Sequence, residues 1–272
     1  MVNWLGASNF SNLRRRSKVG QLVLLCLAVE LLFFASFSSL KLPTATGGNM
    51  ANFGKFAAQQ ALSLASPKVQ EQILTVLPAL KEPAAEVRYG PYVPLAPLAV
   101  LLGYAMGIPL GLVACGTFIV LGLIGDVTGV LPFAGGGGVD YWSQPTFGYL
   151  LGLLTASWFA GRVTLTLNSH WRRLAAAAGG LAIVHVSGLL YLFARYLLIL
   201  LFEGDKAAVI WQPWLWEQVR NLSGYALPYD IFFTLALIGI GSPIRWLVDT
   251  LTSPDIALRP KSTWKHKFEE VL

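Results

Sequence analysis

Charge is what this chain has least of. Only 12% of its 272 residues are Asp, Glu, Lys or Arg, about half the share of a soluble domain, which carries roughly 25%. Together with 55% hydrophobic residues, that excludes an ordinary soluble enzyme and points to a polytopic membrane protein. Cysteine is nearly missing as well: Cys26 and Cys115 both fall in apolar runs. They imply no disulfide framework, and no Cys/His spacing suggests a metal. The histidines, His170, His185 and His266, are far apart in sequence. There is no Walker P-loop and no G-x-S-x-G elbow, so neither ATP hydrolysis nor a serine hydrolase is encoded locally. His185 and Ser187 are two apart and do not face each other on a helix. His185 therefore reads as a packing histidine. The net charge of +6 is distributed by loop, which is a topology signal rather than a nucleic-acid footprint. No cofactor is implied.

What is present is a series of apolar runs. Residues 1–18 are polar and end in Arg14-Arg15-Arg16-Ser17-Lys18. A run from Val19 to Leu40 follows, long enough to span by the roughly 20-residue criterion. Its length and the missing A-x-A site argue for a retained helix rather than a signal peptide. Residues 41–90 are too charged to span. Within them Val69 to Leu80 carries one apolar face, a short amphipathic helix that Pro78 and Pro83 should end. This stretch is expected to be an external insertion lying on the bilayer surface. The block from Tyr92 to Gly125 is interrupted by Gly107-Ile108-Pro109. It reads as two helices, Tyr92–Met106 and Pro109–Gly125, because proline suits a first turn better than a helix interior. Further spans are expected at Thr146–Leu165, Leu174–Phe202 and Leu227–Leu247. A polar loop from Glu203 to Gly224 carries Trp211, Trp214 and Trp216 as an interfacial belt. A basic tail follows, 249–272.

The expected fold is thus an all-α integral membrane protein with six transmembrane helices, the last five forming a core over residues 91–248. Twelve Lys and Arg residues fall on the side of the termini and seven on the other, five of those in the long insertion. Long translocated segments count little in this rule, and loop 126–145 has no Lys or Arg. Both termini are expected in the cytoplasm.

One outward loop stands out. Pro132-Phe133-Ala134 leads into four consecutive glycines, Gly135 to Gly138, and then Asp140, Tyr141, Trp142, Gln144, Pro145, Thr146 and Tyr149. Glycine backbone can approach a ligand closely. Irregular backbone near a membrane persists only where protein or a water-filled cavity surrounds it. The stretch reads as the wall and lid of a ligand cavity, or as a flexible connection between helices.

In order, these motifs resemble the BioY family, biotin-binding S components of energy-coupling factor (ECF) vitamin transporters. The matching residues are Val93-Pro94, Leu121-Gly122-Leu123-Ile124-Gly125, Pro132 to Gly138, and Pro145-Thr146-Phe147-Gly148-Tyr149-Leu150-Leu151-Gly152, with weaker matches at Gly188 and Leu227-Pro228-Tyr229-Asp230. The resemblance implies an ECF S-component-like bundle that takes up biotin and is no enzyme. It also implies as partners the lipid bilayer and a transmembrane coupling subunit with ATPase subunits. The family's Asp-x-x-Lys has Asp230 here but Phe233 in place of the lysine. The alternatives are a carrier for another small vitamin-like carboxylate, and a membrane assembly protein without transport activity.

The expected substrate-binding residues are Phe133, Gly137, Gly138, Gln144, Thr146, Tyr149, Arg195 and Asp230. Thr146 and Tyr149, three apart, share a helix face. Asp230 would accept from ligand N–H groups, or serve as a first-turn Asp after Pro228. Arg195 lies about seven residues, roughly 10 Å, inside its helix. A cation there needs a partner or a cavity, either the ligand carboxylate or Glu30 of the first helix.

Overall fold

The computed structural model describes residues 17–133, 136–165 and 169–252, with backbone alone for 203 and 205–211. The basic N-terminal stretch before Ser17, the tail beyond Thr252, Ala134, Gly135 and the side chain of Trp211 lie outside the described residues.

Helix α1 spans Lys18–Phe37, where Ser17 Oγ accepts from the Gly20 N–H at 3.3 Å. Two short strands follow the all-helical expectation imperfectly. β1, Leu40–Pro43, pairs antiparallel with β2, Tyr89–Tyr92, from Leu40↔Tyr92 to Pro43↔Tyr89. They close the base of the insertion, which holds α2, Gly47–Ser63, and α3, Pro67–Val76. Pro78 ends α3 as expected and opens a single 3-10 turn, Pro78–Leu80. The insertion buries almost no apolar side chain. Amide side chains hold it instead. Asn49 Nδ2 donates to the Arg88 carbonyl at 2.9 Å and its Oδ1 accepts from the Arg88 N–H at 2.8 Å. Gln59 Nε2 donates to the carbonyls of Leu80 and Glu82.

The block that follows splits where Gly107 suggests. α4 is Leu95–Met106 and α5 is Ile108–Leu123, with Gly107 between them at φ +84°, a conformation that glycine adopts without penalty. Every residue of α4 from Ala96 to Met106 is buried. A helix apolar on all sides belongs inside the bundle, and α4 packs against α1, α5 and the four long or terminal helices that follow. Those begin with α6, Phe147–Val163, and α7, His170–Glu203, which form the most extensive helix pair. α7 starts before the expected Leu174 because Ser169 Oγ caps it, accepting from the Arg172 N–H.

Two expectations need correction. The polar loop over Glu203–Gly224 is helical: Gly204 at φ +71° breaks the chain, and α8, Asp205–Val219, follows with Pro213 inside it. α8 runs into a π-helical turn, Arg220–Gly224. Tryptophan and proline looked like loop signals, yet a proline costs an interior helix only one donated hydrogen bond and a local kink. The expected sixth span also breaks. α9 is Leu227–Gly239 and α10 is Gly241–Thr252, parted at Ile240 between two glycines. In α10 Arg245 donates to the Thr164 carbonyl at 3.1 Å and lies 5.5 Å from the Tyr104 ring centre.

Three described stretches are long and apolar enough to cross a membrane: Lys18–Phe37, His170–Phe202 and Gln212–Gly239. The apolar helices α4 and α5 are shorter, about 18 and 24 Å at the helical rise against a hydrocarbon core of about 30 Å.

Candidate functional site

The helix ends at the insertion side of the bundle line a partly open cavity of about 230 Å³. Its walls come from Ser36 of α1, Pro91 to Val93 at β2, Leu95 and Ala96 of α4, and Pro132 and Phe133 of the glycine-rich loop. Tyr141 of a 3-10 turn, Val139–Ser143, and Thr146 continue the wall into Tyr149, Leu150 and Leu153 of α6. Val184 and His185 of α7, Asn221 and Leu222 of the π turn, and Ala226 and Asp230 complete it.

In the glycine run, a Cβ at Gly137 would lie 3.0 Å from the Gly122 carbonyl oxygen and one at Gly138 2.0 Å from the Asp126 carboxylate. Phe133 and Gly136 exchange backbone hydrogen bonds at 2.9 Å, and the Gly138 N–H donates to the Gly122 carbonyl at 2.9 Å. The Phe133 ring lies against Gly122, where an added Cβ would sit 2.2 Å from it. The loop is thereby folded back onto the end of α5, and Phe133 reaches the cavity between Phe118 and Tyr141 with ring centres 5.6 and 4.7 Å away. The Tyr141 and Thr146 hydroxyls lie 2.7 Å apart. Burial raises the Tyr141 pKa above the ordinary phenol value, against a smaller lowering by Thr146, so Tyr141 keeps its proton at neutral pH.

The polar end of the cavity is a buried network. Asp230, 5% exposed, stands in the first turn of α9. Its Oδ1 accepts from the Tyr92 hydroxyl at 2.7 Å, and its Oδ2 lies 3.1 Å from His185 Nε2. His185 Nδ1 is 3.1 Å from Ser223 Oγ, which in turn lies 2.7 Å from the Tyr149 hydroxyl. The π turn presents Ser223; such turns recur at functional sites. On α7, Gly188 lets the Tyr149 ring lie flat on the helix, since a Cβ there would come within 2.4 Å of it. We expect Gly188→Ala to push Tyr149 away from Ser223 and lower ligand affinity roughly tenfold, the worth of one hydrogen bond. A titration of the purified variant checks this.

Of the expected site residues, Phe133, Thr146, Tyr149 and Asp230 line this cavity. Gly137 packs on the Gly122 carbonyl and Gly138 on the Asp126 carboxylate. Gln144 is exposed. Arg195 lies ten residues beyond His185 on α7, about 15 Å along the axis, and one helical turn beyond Tyr191. Glu30 is exposed and makes no ion pair with Arg195 among the described residues. Sequence reasoning missed Tyr92, Ser223 and the polar role of His185. No spacing could have shown them, because the partners are 138, 74 and 45 residues apart.

The BioY family model matches residues 91–249, more than half of the chain. The chain belongs to the BioY family. Every residue of the polar network lies inside the matched segment, whereas α1, β1 and the helices of the insertion lie outside it. BioY proteins are transporter components rather than enzymes, so a membrane location and a transport role follow for the chain. A crystal structure described as the S-component for biotin from an ECF-type ABC transporter is 15% identical, with 89% of this chain and 93% of that one covered and a TM-score of 0.40. No curated protein matches significantly. Within this BioY core, Phe233 stands where the resemblance led us to expect lysine. It stacks on Tyr92, ring centres 5.4 Å apart and planes at 15°, and so holds the Tyr92 hydroxyl toward Asp230.

Proposed function

We propose that this protein captures biotin from outside the cell membrane and delivers it inward, as the substrate-binding membrane subunit of a biotin uptake system. The observation that carries this reading is a buried carboxylate, Asp230, at the polar end of a mainly apolar cavity in a BioY core. Biotin's cyclic urea brings two N–H donors to such an acceptor. Phe133, Leu150, Leu153 and Val184 supply apolar walls for its thioether ring and chain. The volume, about 230 Å³, lies just below the range of roughly 300–1,000 Å³ typical of drug-sized ligands, which favours one compact molecule.

In this reading six segments cross the membrane, both termini are cytoplasmic, residues 41–90 lie outside and the tail 249–272 inside. Thr146 and Tyr149 bracket the ligand. Gly137, Gly138 and Gln144 belong to the loop that covers it. Arg195 is a cation at the outer part of α7 that attracts the carboxylate before it enters. Energy comes from other chains, a transmembrane coupling subunit and ATPase subunits, since this sequence carries no P-loop. Titrating the purified full chain with labelled biotin tests the assignment. Saturable binding at nanomolar concentrations is expected. No binding of biotin, with tight binding of another vitamin, would overturn it.

A further inference from the structure

The network around Asp230 leaves little freedom in the placement of its protons. A carboxylate only accepts, so His185 Nε2 must carry a hydrogen toward Oδ2, 3.1 Å away. In the neutral ring Nδ1 is then an acceptor and takes the Ser223 hydroxyl proton across 3.1 Å. Ser223 Oγ, its own proton committed, accepts from the Tyr149 hydroxyl at 2.7 Å. Tyr92 donates to Oδ1 at 2.7 Å. With Asp230 ionised and the ring neutral, every proton in the chain points toward Asp230, and imidazole is the side chain that can accept at one end and donate at the other.

We propose that His185 is the positioning residue that fixes Asp230 as a pure acceptor and thereby makes the cavity select ligands bearing N–H donors. This rests on the biotin reading and names what that site discriminates. Each carboxylate oxygen spends one acceptor direction on a protein donor and keeps another for the ligand. The rotation of the carboxylate is set from both sides, by Tyr92 at the strand and His185 on α7. His185 also ties α6, α7, the π turn and α9 into one unit through Tyr149 and Ser223. A ligand presenting an acceptor or a methylated nitrogen to Asp230 meets its oxygen lone pairs and loses a charge-assisted bond.

The test compares biotin with biotin methylated on a ureido nitrogen, using the full chain in detergent. His185→Phe keeps a ring but offers no donor. It should lower biotin affinity about ten- to a hundredfold, the range for a bond to a charged acceptor, and leave the methylated analogue within about threefold, so discrimination collapses. His185→Gln, which keeps an N–H donor, should recover part of it. Equal losses for both ligands, or no loss for biotin, would overturn the proposal. A ligand-free measurement separates it from the substrate assignment. With 15N-histidine labelling, the His185 signal should show the Nε2–H tautomer, and Ser223→Ala should shift its Nδ1 resonance. An Nδ1–H ring overturns the proposal whatever binds. The Nε2–H ring in a chain that does not bind biotin supports the positioning role and removes only biotin as the ligand.

Discussion

Asp230→Asn should lower biotin affinity by at least about a hundredfold, because a hydrogen bond to a charged acceptor is worth roughly 1.5–3 kcal/mol and at least two converge here. The substitution is nearly isosteric, so the cavity keeps its shape. What changes is the sign of one atom. Tyr92 O–H and His185 N–H point at the two carboxylate oxygens. In asparagine one of those positions becomes an NH₂ group that faces a donor. The amide must then turn away from Tyr92 or from His185, and the ligand N–H loses a charged acceptor as well. Asp230 is 5% exposed, and an unsatisfied buried donor costs about 1–3 kcal/mol. Some of this will appear as lower stability. Thermal unfolding of the ligand-free variant measures that part, and titration with labelled biotin measures the rest. Unchanged biotin affinity in a folded Asp230→Asn protein would remove Asp230 from the binding site.

Local chemistry made the frame legible. The Gly107-Ile108-Pro109 break, the Pro78 stop, and the apolar runs that became α1, α5 and α6 could all be read from propensity and hydropathy. Two kinds of feature could not. The helix α8 was masked by Trp and Pro, residues whose meaning depends on whether a neighbouring helix covers the kink. The break at Ile240 sits inside a hydrophobic run, where hydropathy is blind to backbone direction. At the site, motif resemblance found Phe133, Thr146, Tyr149 and Asp230, all of which line the cavity. It pointed to the glycines for ligand approach, whereas Gly137 and Gly138 meet Gly122, Leu131 and Asp126. A glycine needed for close packing and a glycine needed for a ligand look the same in one sequence. Likewise His185 read as packing because its polar partners arrive from the distant π turn and α9.

The larger stability effect should come from a residue that touches no ligand. Gly103→Val should leave little folded protein, and even Gly103→Ala should lower the unfolding temperature by several degrees, since forcing atoms into a filled core costs about 1–3 kcal/mol or more. A Cβ at Gly103 would lie 2.0 Å from the Ser157 carbonyl oxygen of α6 and under 3 Å from two more backbone atoms there. Backbone cannot rotate aside as a flexible side chain can, so α4 and α6 would have to part. Membrane helices gain little from burying apolar surface against each other and depend on such close contacts between small residues. Gly161 and Gly111 line the same crossing, with added Cβ atoms meeting Ile108 N at 2.9 Å and Ser157 Oγ at 2.6 Å. Gly54→Ala in α2 is the control, because nothing lies within 4 Å of its Cβ position, and it should be neutral or slightly stabilising. Thermal unfolding in detergent compares the three variants. α4 carries the Leu95 and Ala96 wall and α6 carries Tyr149 and Leu150, so this crossing also sets the width of the cavity. Gly103→Ala should therefore weaken biotin binding even at temperatures where the protein remains folded, and a variant that lost stability with unchanged affinity would show that the two helices shift without moving the site.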